Sequence, residues 1–391
     1  MSILGRVSMS VYLVVLLAVL TSISLRGGKM AVSLYALDLG AGSAAVGALA
    51  ALFAAFPLLL AVQAGRLSDR FGVRMPLVCG TLAMAAGLAL PLISAHLALL
   101  FACAALVGLG HVFFHVSMHS LVGALGEGAQ RTRNFATFSL GISIAAFIGP
   151  SLAGFAIELA GFRPAFAVLA VVAALPAVYL LIVPKVAPPA ARVSEETAKS
   201  AFELLAIPAL RRTLIMSGVT LTGIELFSFY LPIYGRSIGL TASVIGAVLS
   251  SYALAGFLVR SVMHRLAQRY TELGVLTGSL FVAAVTYFIV PGLGSGWPLA
   301  AAAFALGLAL GSAQPLTIIL TYNHAPSGRS GEALGLRIMA NKLTQIVVPL
   351  AFGGFGAALG AAPVFLATGA FLLLAGVASL RIVAPQRQDQ R

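Results

Sequence analysis

Charge is scarce in this sequence. Only 9% of its 391 residues are charged, where a soluble domain carries about 25%. Acidic groups are scarcer still, with 11 Asp and Glu against 24 Lys and Arg, for a formal net charge of +13. Together with 60% hydrophobic residues and a mean hydropathy of +1.04, this excludes an ordinary water-soluble fold and points to an integral membrane protein. The basic excess alone fits a nucleic-acid partner. Its placement, in short segments between apolar runs, argues against one. Cysteine is nearly absent, and Cys79 and Cys103 both fall in apolar segments, so neither a disulfide framework nor a metal cluster is expected. The connecting segments hold no nucleophile–base arrangement and no cofactor loop, so no enzyme activity and no cofactor are expected. A cleavable leader is not expected either: the first apolar run is too long and has no small-residue cleavage site, so it reads as a retained span.

What is present is a series of long apolar segments. Windows of about 20 residues, enough to cross the hydrocarbon core, fall at 7–35, 43–64, 75–94, 97–123, 134–158 and 163–184. A second set falls at 212–236, 242–263, 273–293, 297–322, 333–359 and 361–383. The expected fold is an all-α membrane protein with twelve transmembrane helices in two pseudo-symmetric six-helix bundles. Its domain organisation is expected as 1–184, a cytoplasmic linker 185–211 that is richer in Pro and charge, and 212–391. If the N-terminus is cytoplasmic, 17 of the 24 Lys and Arg lie on that side and only Arg163 and Arg236 opposite, with Arg26, Lys29, Arg260, Arg337 and Lys342 inside spans. That asymmetry predicts both termini on the cytoplasmic side of a bacterial-type inner membrane.

An internal repeat emerges at a shift of 199 residues. Tyr35 falls on Tyr234, Gly40 on Gly239, Gly47 on Gly246, Arg70 on Arg269, Gly108 on Gly307, Pro150 on Pro349 and Gly154 on Gly353. One shift serves from the first span to the last, which predicts two halves in parallel orientation, an arrangement that builds a site between rocking bundles. The same shift sets Arg26 on Glu225, a cation and a carboxylate at equivalent places.

The loop Gly65-Arg66-Leu67-Ser68-Asp69-Arg70-Phe71-Gly72-Val73-Arg74 resembles the cytoplasmic signature Gly-x-x-x-Asp-Arg-x-Gly-Arg of the major facilitator superfamily, with Val73 at its late basic position. The resemblance covers the whole chain through its twelve spans and two-fold repeat. It implies a secondary transporter working by alternating access, with Asp69, Arg70 and Arg66 as a latch between bundles. Asp69 has the chemistry for that, pairing with an Arg or accepting from a helix N-terminus. In the fifth span, Gly149-Pro150-Ser151-Leu152-Ala153-Gly154 resembles the Gly-Pro-x-x-Gly-Gly motif of proton-coupled drug exporters. This favours export and assigns Gly149 and Pro150 to packing and a kink between the halves. The chain departs from that group at Ala153 and Ala145, and it lacks the group's fourth-span Arg near Cys103, so proton coupling must use other residues.

The polar residues inside spans carry the rest of the reading. Arg26 and Lys29, in Leu25-Arg26-Gly27-Gly28-Lys29, occupy the first span, where a charge costs several kcal/mol (about 3 to above 10) unless it meets water or a partner. They either line an aqueous cavity or snorkel to the interface. His111, His115 and His119 share one face of the fourth span. They are placed to relay protons or complement an anion, to bind a metal, or simply to bond to neighbouring helices. Glu225 is the one carboxylate deep in a span: either a proton site, for which a proton and Arg26 compete, or half of a permanent Arg26–Glu225 bridge. The eleventh span adds Arg337, Asn341, Lys342 and Gln345, and Gln314 stands at the shifted equivalent of His115.

Deep cations outnumber deep carboxylates, which favours anionic ligands. The expectation is a proton-coupled transporter, acting as a monomer, that exports a small organic anion or zwitterion. Arg26, Lys29, His111, His115, Gln314, Asn341, Lys342 and Gln345 are its expected cargo contacts, with Glu225 and His111 as proton sites. Two other readings stay open: a multidrug exporter of broad specificity, and a metal or metal-chelate transporter using His111, His115 and His119.

Overall fold

A computed structural model of the chain describes residues 10–125, 128–182, 201–326 and 329–386. These form twelve α-helices and, among the described residues, no strand. The helices are α1 Val11–Asp38, α2 Ser43–Phe71, α3 Arg74–Ile93, α4 Leu97–Ala124, α5 Gly128–Ala160 and α6 Phe162–Ile182. They continue as α7 Pro208–Ser237, α8 Ala242–Tyr270, α9 Glu272–Ile289, α10 Gly296–His324, α11 Ser330–Leu359 and α12 Ala361–Gln386. Each contains a stretch long and apolar enough to cross a membrane. Large apolar side chains face outward, among them Ile93 at 74% exposure and Leu159 at 84%, as a chain with lipid for its solvent requires.

Several helices overrun the expected spans. The signature stretch Gly65–Arg70, expected as a loop, lies on the last turns of α2, and 131–133 lie on α5. Residues 265–269 lie on α8, and α7 begins at Pro208, ahead of the expected 212. The reason is local. Arg, Leu and Gln are good helix formers, so a helix leaving the apolar zone continues until the backbone is turned. The turns come at Gly40, Gly72 and Gly161, with φ of 83°, 78° and 87°. Their shifted equivalents are Gly239 and Gly360, with φ of 78° and 83°, and Thr271, with φ of 63°. The repeat read from the sequence is thus also a repeat of backbone stops.

The chain divides into two compact units, one of Met1–Ala41 with Leu52–Glu195, the other of Gly42–Ala51 with Glu196–Arg391. In the first, α3 packs on α4 and α6, and α1 packs on α5 and α6. Glycines set these crossings. A Cβ on Gly27 would lie 2.8 Å from the Gly149 carbonyl oxygen and 2.9 Å from Leu169, and one on Gly28 would lie 2.8 Å from Leu88. Where α4 meets α2, a Cβ on Gly108 would lie 3.0 Å from the carbonyl oxygens of Leu52 and Phe53. Arg74 closes the far end of α6, its Nε donating to the Leu180 carbonyl at 2.9 Å and its guanidinium to that of Leu181 at 3.2 Å.

In the second unit, α8 and α9 pack on α10, α12 packs on α9, and α7 packs on α11 and α10. Gly307 meets the Tyr252 carbonyl, the shifted counterpart of the Gly108–Phe53 contact. The first residues of α2 belong here: Ser43 Oγ donates to the Gly353 carbonyl at 3.2 Å, and a Cβ on Gly353 would come within 3.1 Å of the Gly47 Cα. A short 3-10 turn, Ala201–Ala206, precedes α7 and buries Leu204 (1% exposed) among Leu210, Leu214, Ala333 and Leu336. Beside it, Arg329 pairs with Glu332 and lies 3.7 Å from the Glu203 carboxylate. The hydrogen bond that Arg329 donates to Glu332, reinforced by both carboxylate charges, holds its guanidinium above the ordinary pKa.

Candidate functional site

Three helical stripes of the first unit converge on one cavity of about 350 Å³. α1 supplies Ser22, Leu25 and Arg26, α4 supplies His111, His115 and His119, and α5 supplies Phe135, Phe138, Ser139 and Ile142. On each helix these residues recur at steps of one, three or four, so each set forms a single face. The three imidazoles stand in a row, with ring centroids 5.2 Å apart for His111–His115 and 4.2 Å for His115–His119. His119 Nδ1 lies 2.8 Å from the His115 carbonyl oxygen. A carbonyl only accepts, so Nδ1 carries the proton and Nε2 is the nitrogen left to take one up. The His119 ring also meets Phe138 edge-on at 5.0 Å and Phe135 at 6.2 Å.

Arg26 is exposed, yet it lies twelve residues before the end of α1 at Asp38. At 1.5 Å per residue that is about 18 Å, beyond the reach of its side chain to the helix end. Its exposure is to the cavity. Lys29 takes a different position: its ammonium sits 5.7 Å from the centre of the Phe53 ring, and it is not among the cavity-lining residues. Gly149 packs against α1 beside Arg26; a Cβ there would lie 2.8 Å from the Ile23 carbonyl oxygen and 3.1 Å from the Arg26 Cβ. Pro150 follows it inside α5 without ending the helix.

The second unit gathers its polar residues between α7, α10 and α11. Gln345 Nε2 donates to Glu225 Oε1 at 3.0 Å, and Lys342 Nζ donates to Gln345 Oε1 at 3.1 Å. An ammonium only donates and a carboxylate only accepts, so this amide has one permitted orientation. Asn341 is tied to α7, its Oδ1 accepting from Ser217 Oγ at 3.0 Å. Gln314, expected as a cargo contact, accepts from Arg337 through its side-chain oxygen at 2.7 Å. Thr317 Oγ1 accepts from the same guanidinium at 2.9 Å. Ser217 and Thr317 were not singled out in the sequence. Ser217 sits eight residues before Glu225, on the same face of α7, and that spacing was the signal available.

Of the expected gate residues, Arg66 and Arg70 are exposed on the last turns of α2, and Arg70 lies over the Phe71 ring at 5.2 Å. Its shifted copy repeats this, Arg269 lying over Tyr270 at 5.4 Å. Asp69 falls on the same helix, and its side chain is outside the described residues. Among the described residues no three His, Cys, Asp or Glu side chains are grouped so as to hold a metal ion.

The amino-acid sequence matches a known family pattern. The model of the Major Facilitator Superfamily matches residues 14–293 and 213–391, which together cover nearly the whole chain. The chain belongs to the major facilitator superfamily. This superfamily member is similar to multidrug resistance protein 1 of Bacillus subtilis (strain 168), 24% identical over 257 residues, 65% of this chain and 66% of that protein. The match thus spans just under two thirds of that relative's length. Quinolone resistance protein NorA of Staphylococcus aureus (strain MRSA252) is 21% identical over 364 residues, 90% of this chain and 91% of its own. A crystal structure of a POT family transporter in complex with 5-aminolevulinic acid superposes with a TM-score of 0.79 over 96% of each chain. At 15% identity that likeness is one of fold alone. The major facilitator protein described here is a multi-pass membrane protein.

Proposed function

We propose that this transporter moves a small organic anion or zwitterion across the inner membrane by alternating access, as a monomer with both termini cytoplasmic. One observation carries the reading: Arg26 opens, deep in its span, into a cavity it shares with three imidazoles and, among the described residues, no carboxylate. Such a lining focuses positive potential on the space. The rings of Phe135 and Phe138 and the side chains of Leu25 and Ile142 give the cargo's apolar body a surface. On α11, Lys342 and Gln345 are further proposed cargo contacts. Glu225, which accepts from Gln345, is the proposed proton site, and His111 a second carrier. Asp69, Arg66 and Arg70 act as the latch, and Gly149 and Pro150 as the flexible packing around it. Outward transport is the direction favoured by the drug-resistance names of the relatives and by the likeness of the Gly149–Gly154 stretch to exporters.

The test uses the purified protein in liposomes. Transport of anionic compounds should exceed that of size-matched cations and fall at least tenfold in Arg26→Gln. Glu225→Gln should bind cargo while losing the pH dependence of transport. Unchanged pH dependence in that variant would remove Glu225 from the coupling role. The relatives' names also favour a second reading, a multidrug exporter of broad specificity, with the apolar part of the cavity lining as its binding surface. It predicts that cations and neutral compounds are carried as well as anions and that Arg26→Gln alters gating more than selectivity.

A further inference from the structure

The two ring nitrogens of His119 have different fates. Nδ1 donates to the His115 carbonyl at 2.8 Å. A carbonyl oxygen has no proton to return, so every proton this ring gains or loses passes through Nε2. A relay needs both nitrogens, one to take a proton in and the other to pass it on. His119 is therefore a place where a proton is held, not a step along a wire. It also lies near an end of its helix. Ala124 closes α4 five residues on, about 8 Å away, against about 20 Å for His111.

The groups around this ring decide when it is charged. On its own helix the titratable neighbours are His115, at 4.2 Å between ring centroids, and His111 beyond it. α5 brings Phe135, Phe138 and Ser139 to the same cavity wall, none of which titrates in the neutral range, and α1 brings Arg26. α2 meets α4 through Gly65 and Val116, and α3 meets it through Gly80 against Gly110 and Phe114. The described charged side chains at this end of α2, α3 and α5 are Arg66, Arg70, Arg74 and Arg133, all cations. Like charge disfavours the protonation of an imidazole, and an opposite charge within about 4–6 Å favours it. Without an anion beside it, His119 is thus held neutral by the charges of its surroundings. An anion bound on Arg26 reverses that balance, and the two binding events then strengthen each other by the same factor.

We propose that His119 Nε2 binds a proton together with the anionic cargo. The proton comes from solvent and adds to the Nε2 lone pair, and no other bond changes. This rests on the anionic cargo proposed above and adds to it a proton-binding position distinct from Glu225 and His111.

Binding of 2-naphthoate, an aromatic carboxylate, to the full chain purified in detergent is measured by equilibrium dialysis from about pH 8 to about pH 5, across the ordinary imidazole range. Affinity should rise about tenfold as pH falls, the equivalent of one pKa unit of coupling. It should do so in the parent and in Glu225→Gln alike, which separates this step from any proton on Glu225. His119→Asn keeps a side-chain N–H for the His115 carbonyl and has no Nε2. Its affinity should stay at the parent's alkaline value throughout. His119→Lys is charged throughout and should stay at the parent's acidic value. In weak buffer near pH 6.5, an indicator dye should record proton uptake as naphthoate binds the parent, and none in either variant. The proposal fails, and the anionic cargo stands, if naphthoate binds the parent with the same affinity at every pH or without proton uptake. It fails equally if His119→Asn keeps the rise. If neither naphthoate nor any smaller or larger carboxylate binds at any pH, the anionic cargo falls and this proposal falls with it.

Discussion

Gly149→Ala tests the link between the α1–α5 crossing and the cavity. The added Cβ would lie 2.8 Å from the Ile23 carbonyl oxygen, where ordinary contact begins at 3.4 Å, so the crossing must open by 0.6 Å. The obstacle is backbone, which cannot rotate aside. Overpacking of this kind costs about 1–3 kcal/mol, and the helix preference of Ala over Gly returns about 0.8 of it, leaving about 0.2–2 kcal/mol of destabilisation. The Arg26 Cβ lies 3.1 Å from the same new atom, so the guanidinium must shift within the cavity as well. Gly218→Ala is the control. It lies inside α7, where the nearest atom to its new Cβ would be Thr344 Oγ1 at 3.7 Å, an ordinary contact. Only helix preference acts there, and the variant should gain about 0.5–1 kcal/mol. Thermal or denaturant unfolding in detergent measures both, and binding of an anionic probe should weaken in Gly149→Ala alone. Equal unfolding midpoints for the two variants would refute the argument that this crossing is closed by the missing side chain.

Thr271 holds a backbone conformation (φ 63°, ψ 155°) that is essentially reserved for glycine and costs about 1–3 kcal/mol. Its shifted counterpart is Gly72, so Thr271→Gly should raise the unfolding midpoint by the equivalent of about 1–2 kcal/mol, less a few tenths for the lost cap on Gly274 N. A lowered midpoint would show the cap to matter more than the backbone. Leu204→Ala, at the turn before α7, should cost about 2–5 kcal/mol if its burial among Leu210, Leu214 and Leu336 anchors the turn. Protease cleavage within the turn at 201–206 should rise in parallel, and an unchanged cleavage rate there would argue against docking by this side chain.

Much of the fold was legible in the sequence. Twelve apolar windows became twelve helices because a lipid solvent requires every backbone group to bond within its own helix, leaving length and hydropathy to define each span. The repeat was legible because glycines at positive φ and at close crossings cannot be exchanged freely, so Gly40 and Gly239, or Gly108 and Gly307, keep their register. Helix ends were less legible. Gly65 to Arg70 looks like a loop because it is charged, but charge does not break a helix, and α2 runs to Phe71.

Composition and spacing are enough to set how many spans there are, where the halves repeat, and which few side chains carry charge or titrate inside them. Periodicity also placed those side chains on a face of each helix. Which faces meet is settled by packing between helices. Arg26 shares a cavity with the histidines because glycines at 27 and 149 bring α1 against α5, while Lys29, three residues on, turns to Phe53. Gln314, the counterpart of His115, holds Arg337 rather than standing open. The physical reason is that a helix's own pattern sets the direction of each side chain, whereas its neighbours are chosen by packing between segments far apart in the chain.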